Sequence, residues 1–94
     1  MFLGGQPLFY NTGQKMQVRV KLFATLSRFA PHNRAAVPFD VQLTEGDTLL
    51  KLVECLDIPP EEAKVAFVNG IIQTLDYSLR PGDEIGIFPP IGGG

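Results

Sequence analysis

The sequence holds very little that could ligate a metal, close a disulfide or run acid–base chemistry. It has one cysteine, Cys55, and one histidine, His32. A single cysteine makes no internal disulfide, which fits a reducing compartment and predicts a cytoplasmic protein. No CxxC or HxxxH pair is present, so no metal site is expected. No glycine-rich loop stands between a strand and a helix to cradle a phosphate, so no nucleotide cofactor is expected either. No apolar run approaches the roughly 18 residues of a membrane span, and the N-terminus lacks the basic start and long apolar stretch of a secretory signal. A pI near 5.2 without a basic cluster argues against nucleic acid as a partner.

What is present is one small domain. The 94 residues are 45% apolar, enough for a single core and too many for a disordered chain. Charge is unevenly spread. Residues 1–39 carry five basic residues and no acid, whereas residues 40–94 carry ten acids against three bases, a formal −7. Either the halves pair with each other in the fold, or the acids share a surface that steers the domain to a basic partner.

Residues 1–15 show no sustained period and are set aside as a flexible N-terminal extension or a remnant of cloning. The domain is expected over residues 16–88 and a glycine-rich tail over 89–94. Residues 17–23 alternate polar and apolar, predicting a strand with Val18, Val20 and Leu22 inward and Arg19 and Lys21 outward. A helical turn over 25–30 ends at Pro31, and residues 32–34 read as a loop. Residues 36–43 alternate again, with Val37, Phe39, Val41 and Leu43 on one face, and predict the second strand of an antiparallel hairpin. Asp47 or Thr48 can cap a helix whose stripe is Leu49, Leu52, Val53 and Leu56, and the stretch 57–60 stops it. A third strand over 64–68 is closed by Asn69-Gly70, the strongest short turn signal in the chain, after which Ile71-Ile72 adds a short paired segment. The turn at Arg80-Pro81-Gly82-Asp83 leads into a last strand over 84–88. Pro89-Pro90 ends the sheet, since proline has no N–H to give a ladder. By this pattern Phe23, Phe39 and Phe67 are core residues, and Phe88, next to the tail, suits an interface anchor.

Strand, strand, helix, strand, short strand, strand is the order of an α+β β-grasp, a mixed sheet packed on one main helix. In this order Val20-Lys21-Leu22-Phe23-Ala24, the Val68-Asn69-Gly70 turn, the stretch 79–85 and the ending Phe88-Pro89-Pro90-Ile91-Gly92-Gly93-Gly94 resemble the MoaD/ThiS family of ubiquitin-like sulfur carriers, with the greatest likeness to the small subunit of molybdopterin synthase. The resemblance runs from Val18 to Gly94. It implies a sulfur carrier whose C-terminal glycine is adenylated by a ubiquitin-activating-type adenylyltransferase and then thiocarboxylated. Such a carrier gives its sulfur to a pterin in molybdenum or tungsten cofactor biosynthesis, seated in the large subunit of molybdopterin synthase. On this resemblance Gly94 bears the sulfur and Gly93 precedes it. Phe88, Pro89, Pro90, Ile91 and Gly92 lie at the partner surface, Gly92 standing where the family often has another small residue. The chain is then a sulfur-carrying subunit without catalytic groups of its own. The same tail also serves a ubiquitin-like modifier joined through Gly94, or a carrier for thiamine thiazole synthesis.

The residue types fit that chemistry. A free carboxylate is a poor electrophile, whereas an acyl adenylate carries a good leaving group. To reach ATP in a narrow channel the backbone needs residues without Cβ, and six extended residues span roughly 20 Å. The other reactive side chains read more simply. Cys55 is expected as a buried, inert thiol, His32 as a solvated loop residue, Asp83 as a support for its own turn, and Asp76 and Glu84 as solvated carboxylates.

Overall fold

The computed structural model describes residues 13–90. Its elements are β1 (Lys15–Leu22), β2 (Phe39–Thr44), α1 (Leu49–Cys55), β3 (Val65–Val68), β4 (Ile71–Gln73) and β5 (Glu84–Phe88), with 3-10 turns at Ala24–Phe29 and Pro60–Glu62. The sheet order is β2-β1-β5-β3-β4. β1 and β2 form the expected antiparallel pair. β5 runs parallel to β1 and antiparallel to β3, so it is the central strand. The arrangement is the ubiquitin-like β-grasp, a mixed sheet with one main helix.

Alternation decides which face each strand buries. In β1, Met16, Val18, Val20 and Leu22 are buried and the residues between them exposed. In β5, Ile85 and Ile87 are buried, and in β3 the inward pair is Ala66 and Val68. These side chains meet Leu49, Leu52 and Val53 of α1, with Leu26, Leu43, Ile58 and Leu79 closing the core. Burying each such aliphatic side chain stabilises the fold by about 1.5–3 kcal/mol, so helix and sheet each depend on the other's apolar face.

Thr48 is the helix cap, its Oγ1 accepting from the Lys51 N–H at 3.3 Å. Asp47 instead accepts from the Thr44 N–H and tightens the preceding turn. At the other end the Asp57 N–H donates to the Glu54 carbonyl and the Ile58 N–H to the Val53 carbonyl. This is a Schellman closure with Asp57 in the left-handed position at φ +63°. An L-residue there costs up to about 1–2 kcal/mol. Asp57→Gly is therefore expected to raise thermal stability, by about 4–8 °C per kcal/mol recovered, read in a melting curve; an unchanged or lowered midpoint contradicts the strain.

β2 starts later than its alternation predicts. Ala36 lies at φ +63°, and its N–H donates to the Leu22 carbonyl at the hairpin's end. Pro38 has no N–H to pair, and Val37 is exposed. β1 begins at Lys15, two residues before the alternation predicts, and residues 1–12 of the N-terminal segment lie outside the described residues. No helix among the described residues is long and apolar enough to cross a membrane.

Candidate functional site

The sheet has a second face, turned away from α1, and it carries the candidate site. β5 delivers Glu84, Gly86 and Phe88 to that face, because Ile85 and Ile87 point inward. β1 places Arg19 and Lys21 beside them by the parallel register Arg19↔Glu84 and Lys21↔Gly86. β3 adds Phe67, opposite Gly86, and β4 adds Ile72, opposite Phe67 and 59% exposed. Phe23 follows the end of β1, where its N–H donates to the Ile87 carbonyl.

The aromatic rings form one cluster. Phe23 lies flat on Phe88 with centroids 4.1 Å apart and planes within 3°. Phe67 meets Phe88 edge to face at 5.7 Å. Beside the rings is a shallow concavity of about 370 Å³ with Arg19, Lys21, Asn69 and Glu84 at its rim. Phe23 and Phe67 are half-buried members of this outer cluster and not core residues, contrary to the sequence pattern. The reason is register: Ala66 and Val68 take the inward positions of β3, so Phe67 must face out. Phe39 does pack, half-buried, against the core.

Phe88 is the last residue of β5, half-buried in the cluster; Pro89 is half-buried and Pro90 exposed. Ile91, Gly92, Gly93 and Gly94 lie outside the described residues. The chain therefore leaves the centre of the sheet beside an apolar face. Sequence inspection picked out Phe88 and missed its partners Phe23, Phe67 and Gly86. One signal was available: Gly86 sits in the middle of a strand, where glycine weakens the ladder and marks a close approach.

Two turns brace this end of the sheet. Asn69 and Gly70 both have positive φ, +52° and +84°, the pair a two-residue hairpin turn requires. Asp83 is buried; its Oδ2 accepts from the Arg80 N–H at 2.8 Å and its Oδ1 from the Asn69 side-chain amide at 2.9 Å. Asn69 Oδ1 in turn accepts from the Glu84 N–H at 3.0 Å, where β5 begins. Asp83 thus supports its own turn, as expected, and also ties it to the β3–β4 turn. Asp83→Ala strands both donors and is expected to cost about 2–3 kcal/mol, read by chemical denaturation; a loss below half that range contradicts the network.

The other reactive side chains lie elsewhere. Cys55 is exposed, not buried, because the stripe of Leu49, Leu52 and Val53 turns position 55 away from the core. His32 accepts from the Arg34 N–H at 3.0 Å, lies 3.2 Å from the Val37 carbonyl and sets its ring edge-on to Phe39. It staples its loop and is not simply solvated. Asp76 accepts from the Thr74 hydroxyl, and both it and Glu84 are exposed. The uneven charge is partly paired across the fold, by Arg19–Asp40 at 3.4 Å and Arg28–Glu62 at 2.7 Å. Beside β5, Arg19 and Lys21 share the outer face with Glu84, so among the described residues that face carries both signs of charge. Among the described residues no group of three His, Cys, Asp or Glu could hold a metal ion.

Comparison with known proteins places this geometry. No curated protein matches the chain. Among solved structures, a Pyrococcus furiosus protein described as molybdopterin converting factor, subunit 1, superposes with a TM-score of 0.62 at 28% identity, covering 81% of this chain and 99% of that one. Small archaeal modifier protein 1 of Haloferax volcanii gives 0.64 at 21% identity, over 81% and 99%. The ubiquitin of Caldiarchaeum subterraneum gives 0.54 at 12% identity, over 85% and 99%. The last two share the fold. The family model described as the ThiS family matches residues 20–94, and the chain belongs to that family, the ThiS/MoaD-type ubiquitin-like sulfur carriers.

Proposed function

We propose that the chain carries sulfur as a thiocarboxylate on Gly94 for the synthesis of the molybdenum- or tungsten-binding pterin. The observation that supports this most is the aromatic cluster of Phe23, Phe67 and Phe88 at the root of a glycine-ended tail. A partner that covers this face receives the tail at the same time. The six residues after Phe88 reach at most about 20 Å, enough to enter an active site in the covering protein.

The chemistry needs no catalytic group on this chain. The Gly94 carboxylate attacks the α-phosphate of ATP on a ubiquitin-activating-type adenylyltransferase, and pyrophosphate leaves. A sulfide-equivalent nucleophile then attacks the acyl carbon and displaces AMP, leaving the thiocarboxylate. In the large subunit of molybdopterin synthase the thiocarboxylate sulfur attacks a carbon of the pterin precursor and an oxygen substituent of that carbon leaves. Water then attacks the acyl carbon, breaks its bond to sulfur and releases the tail as carboxylate, with the sulfur left on the pterin. What this chain contributes is placement: Pro89 and Pro90 fix φ near −65° and keep the exit from folding back into the ladder. Gly93 and Gly94 let the backbone pass a narrow channel.

The test is reconstitution. Thiocarboxylated chain, mixed with the large subunit and the pterin precursor, is expected to yield the dithiolene with two chains consumed per pterin, one for each sulfur, and both returned as carboxylate. Failure there, with thiol-resistant adducts on lysines of bulk protein instead, makes the chain a modifier; sulfur delivered only to a thiazole synthase places it in thiamine synthesis.

A further inference from the structure

We infer that Gly86 is a positioning residue for the tail: its missing side chain lets Phe23 lie flat on Phe88, and that stack fixes where the chain leaves the sheet. The inference rests on the tail reading above and assigns roles to two residues that touch no reacting atom.

Gly86 is half-buried in the middle of the central strand. Its backbone is not in the left-handed region, so no unusual dihedral requires glycine there. Glycine inside a strand costs about 0.5–1 kcal/mol relative to alanine, and something other than backbone freedom must account for it. A Cβ built on Gly86 meets Phe23 Cε2 at 3.2 Å, Phe88 Cε1 at 3.8 Å and Phe23 Cζ at 4.0 Å. The edge of the Phe23 ring therefore crowds the place a Cβ would take, while Phe88 lies at ordinary contact distance from it.

Phe23 is itself held in place. Its N–H donates to the Ile87 carbonyl and its carbonyl accepts from the Leu26 N–H, each at 3.0 Å, and the next residue, Ala24, turns the chain at φ +53°. Phe88 lacks such anchors beyond its ladder partner Val65, and it is followed at once by Pro89. Phe23 thus acts as a fixed plate against which the last strand residue registers, and the prolines carry that orientation outward. A misplacement of about 1 Å at a reacting group can cost about 10²-fold in rate, so the direction of exit matters even when docking is unchanged.

The experiment uses the full chain and its adenylyltransferase, with carrier concentration varied in an ATP–pyrophosphate exchange assay. Gly86→Val adds a strand-favouring side chain whose bulk displaces the Phe23 ring, and a cooperative melting curve shows whether the variant is folded. Its kcat is expected to fall about tenfold or more through loss of alignment. Gly86→Ala, which the far edge of the Phe23 ring can accommodate by moving a few tenths of an ångström, falls between. Phe23→Ala lowers kcat like Gly86→Val, and Phe23→Tyr, which keeps the stack, restores it. Phe67→Ala removes the edge contact and leaves the Phe23–Phe88 stack, so it raises KM more than it lowers kcat. A folded Gly86→Val with wild-type kcat overturns the inference; should that variant not fold, an unaltered kcat in Phe23→Ala does so. The ring protons of Phe23 and Phe88 are also expected to be shifted upfield in the NMR spectrum of the free wild-type chain, and unshifted rings overturn it whatever the enzyme does. No exchange with the wild type itself overturns the tail reading, and with it the role given to Gly86.

Discussion

Removing Gly93 and Gly94 is expected to abolish adenylation and sulfur transfer completely while leaving the melting curve unchanged. The two halves of this expectation have different physical origins. Stability resides in the layer between α1 and the inner face of the sheet, where Val18, Val20, Leu22, Leu52, Val53, Ile85 and Ile87 are buried. Among the described residues, nothing in that layer comes from beyond Phe88. In the proposed function, activity resides in the carboxylate that ends the chain. Moving it back by two residues withdraws it by up to about 7 Å at the reach of an extended backbone. It also puts Gly92 where Gly94 stood, with Ile91 and its branched side chain next to it. Activity that survives the deletion means the reaction does not pass through the tail. A lowered midpoint means the tail is part of the fold.

Phe67→Glu carries the second largest expected effect. The side chain points away from the core, between Phe88 and the exposed Ile72. A carboxylate there remains solvated in the free chain, so the fold should lose no more than about 1 kcal/mol, the span of strand propensity. Bound, the same carboxylate is buried in an apolar contact without a partner. Anchors at interface centres are worth about 2 kcal/mol or more, so affinity for the covering protein is expected to fall at least about 30-fold. Calorimetric titration with the adenylyltransferase and with the large subunit reads this directly. Unchanged affinity for both removes the outer face from the account.

Much of the fold was legible because its signals are local. The alternation over residues 17–23, the Asn69-Gly70 turn and the Pro81-Gly82 turn each act within a few residues; both turns stand where the pattern predicts, and the strand starts two residues earlier. Pairings between distant segments carry no such signal. The parallel contact of β1 with β5, which makes the tail's strand the central one, is seen only in the structure. β3 shows the limit most clearly: Val65, Ala66, Phe67 and Val68 are all apolar, so no alternation reveals which face each takes. Assigning the largest to the core was natural and incorrect, because Ala66 and Val68 fill the inward positions beneath the helix layer. The exposure of Cys55, by contrast, was within reach, since the stripe at 49, 52 and 53 already assigns it to the other side. The site divided the same way. Its tail is a contiguous motif, whereas the aromatic face is assembled from three strand ends and a glycine that no single window contains.

Intact mass tests most directly whether the Gly94 carboxylate becomes a thiocarboxylate. The chain is incubated with an adenylyltransferase of the pterin pathway, ATP and a sulfur donor, and then weighed. The account predicts a mass increase equal to one oxygen replaced by sulfur, confined to the C-terminal fragment and absent when Gly94 is deleted. A chain with its native C-terminus that keeps its original mass under these conditions contradicts it.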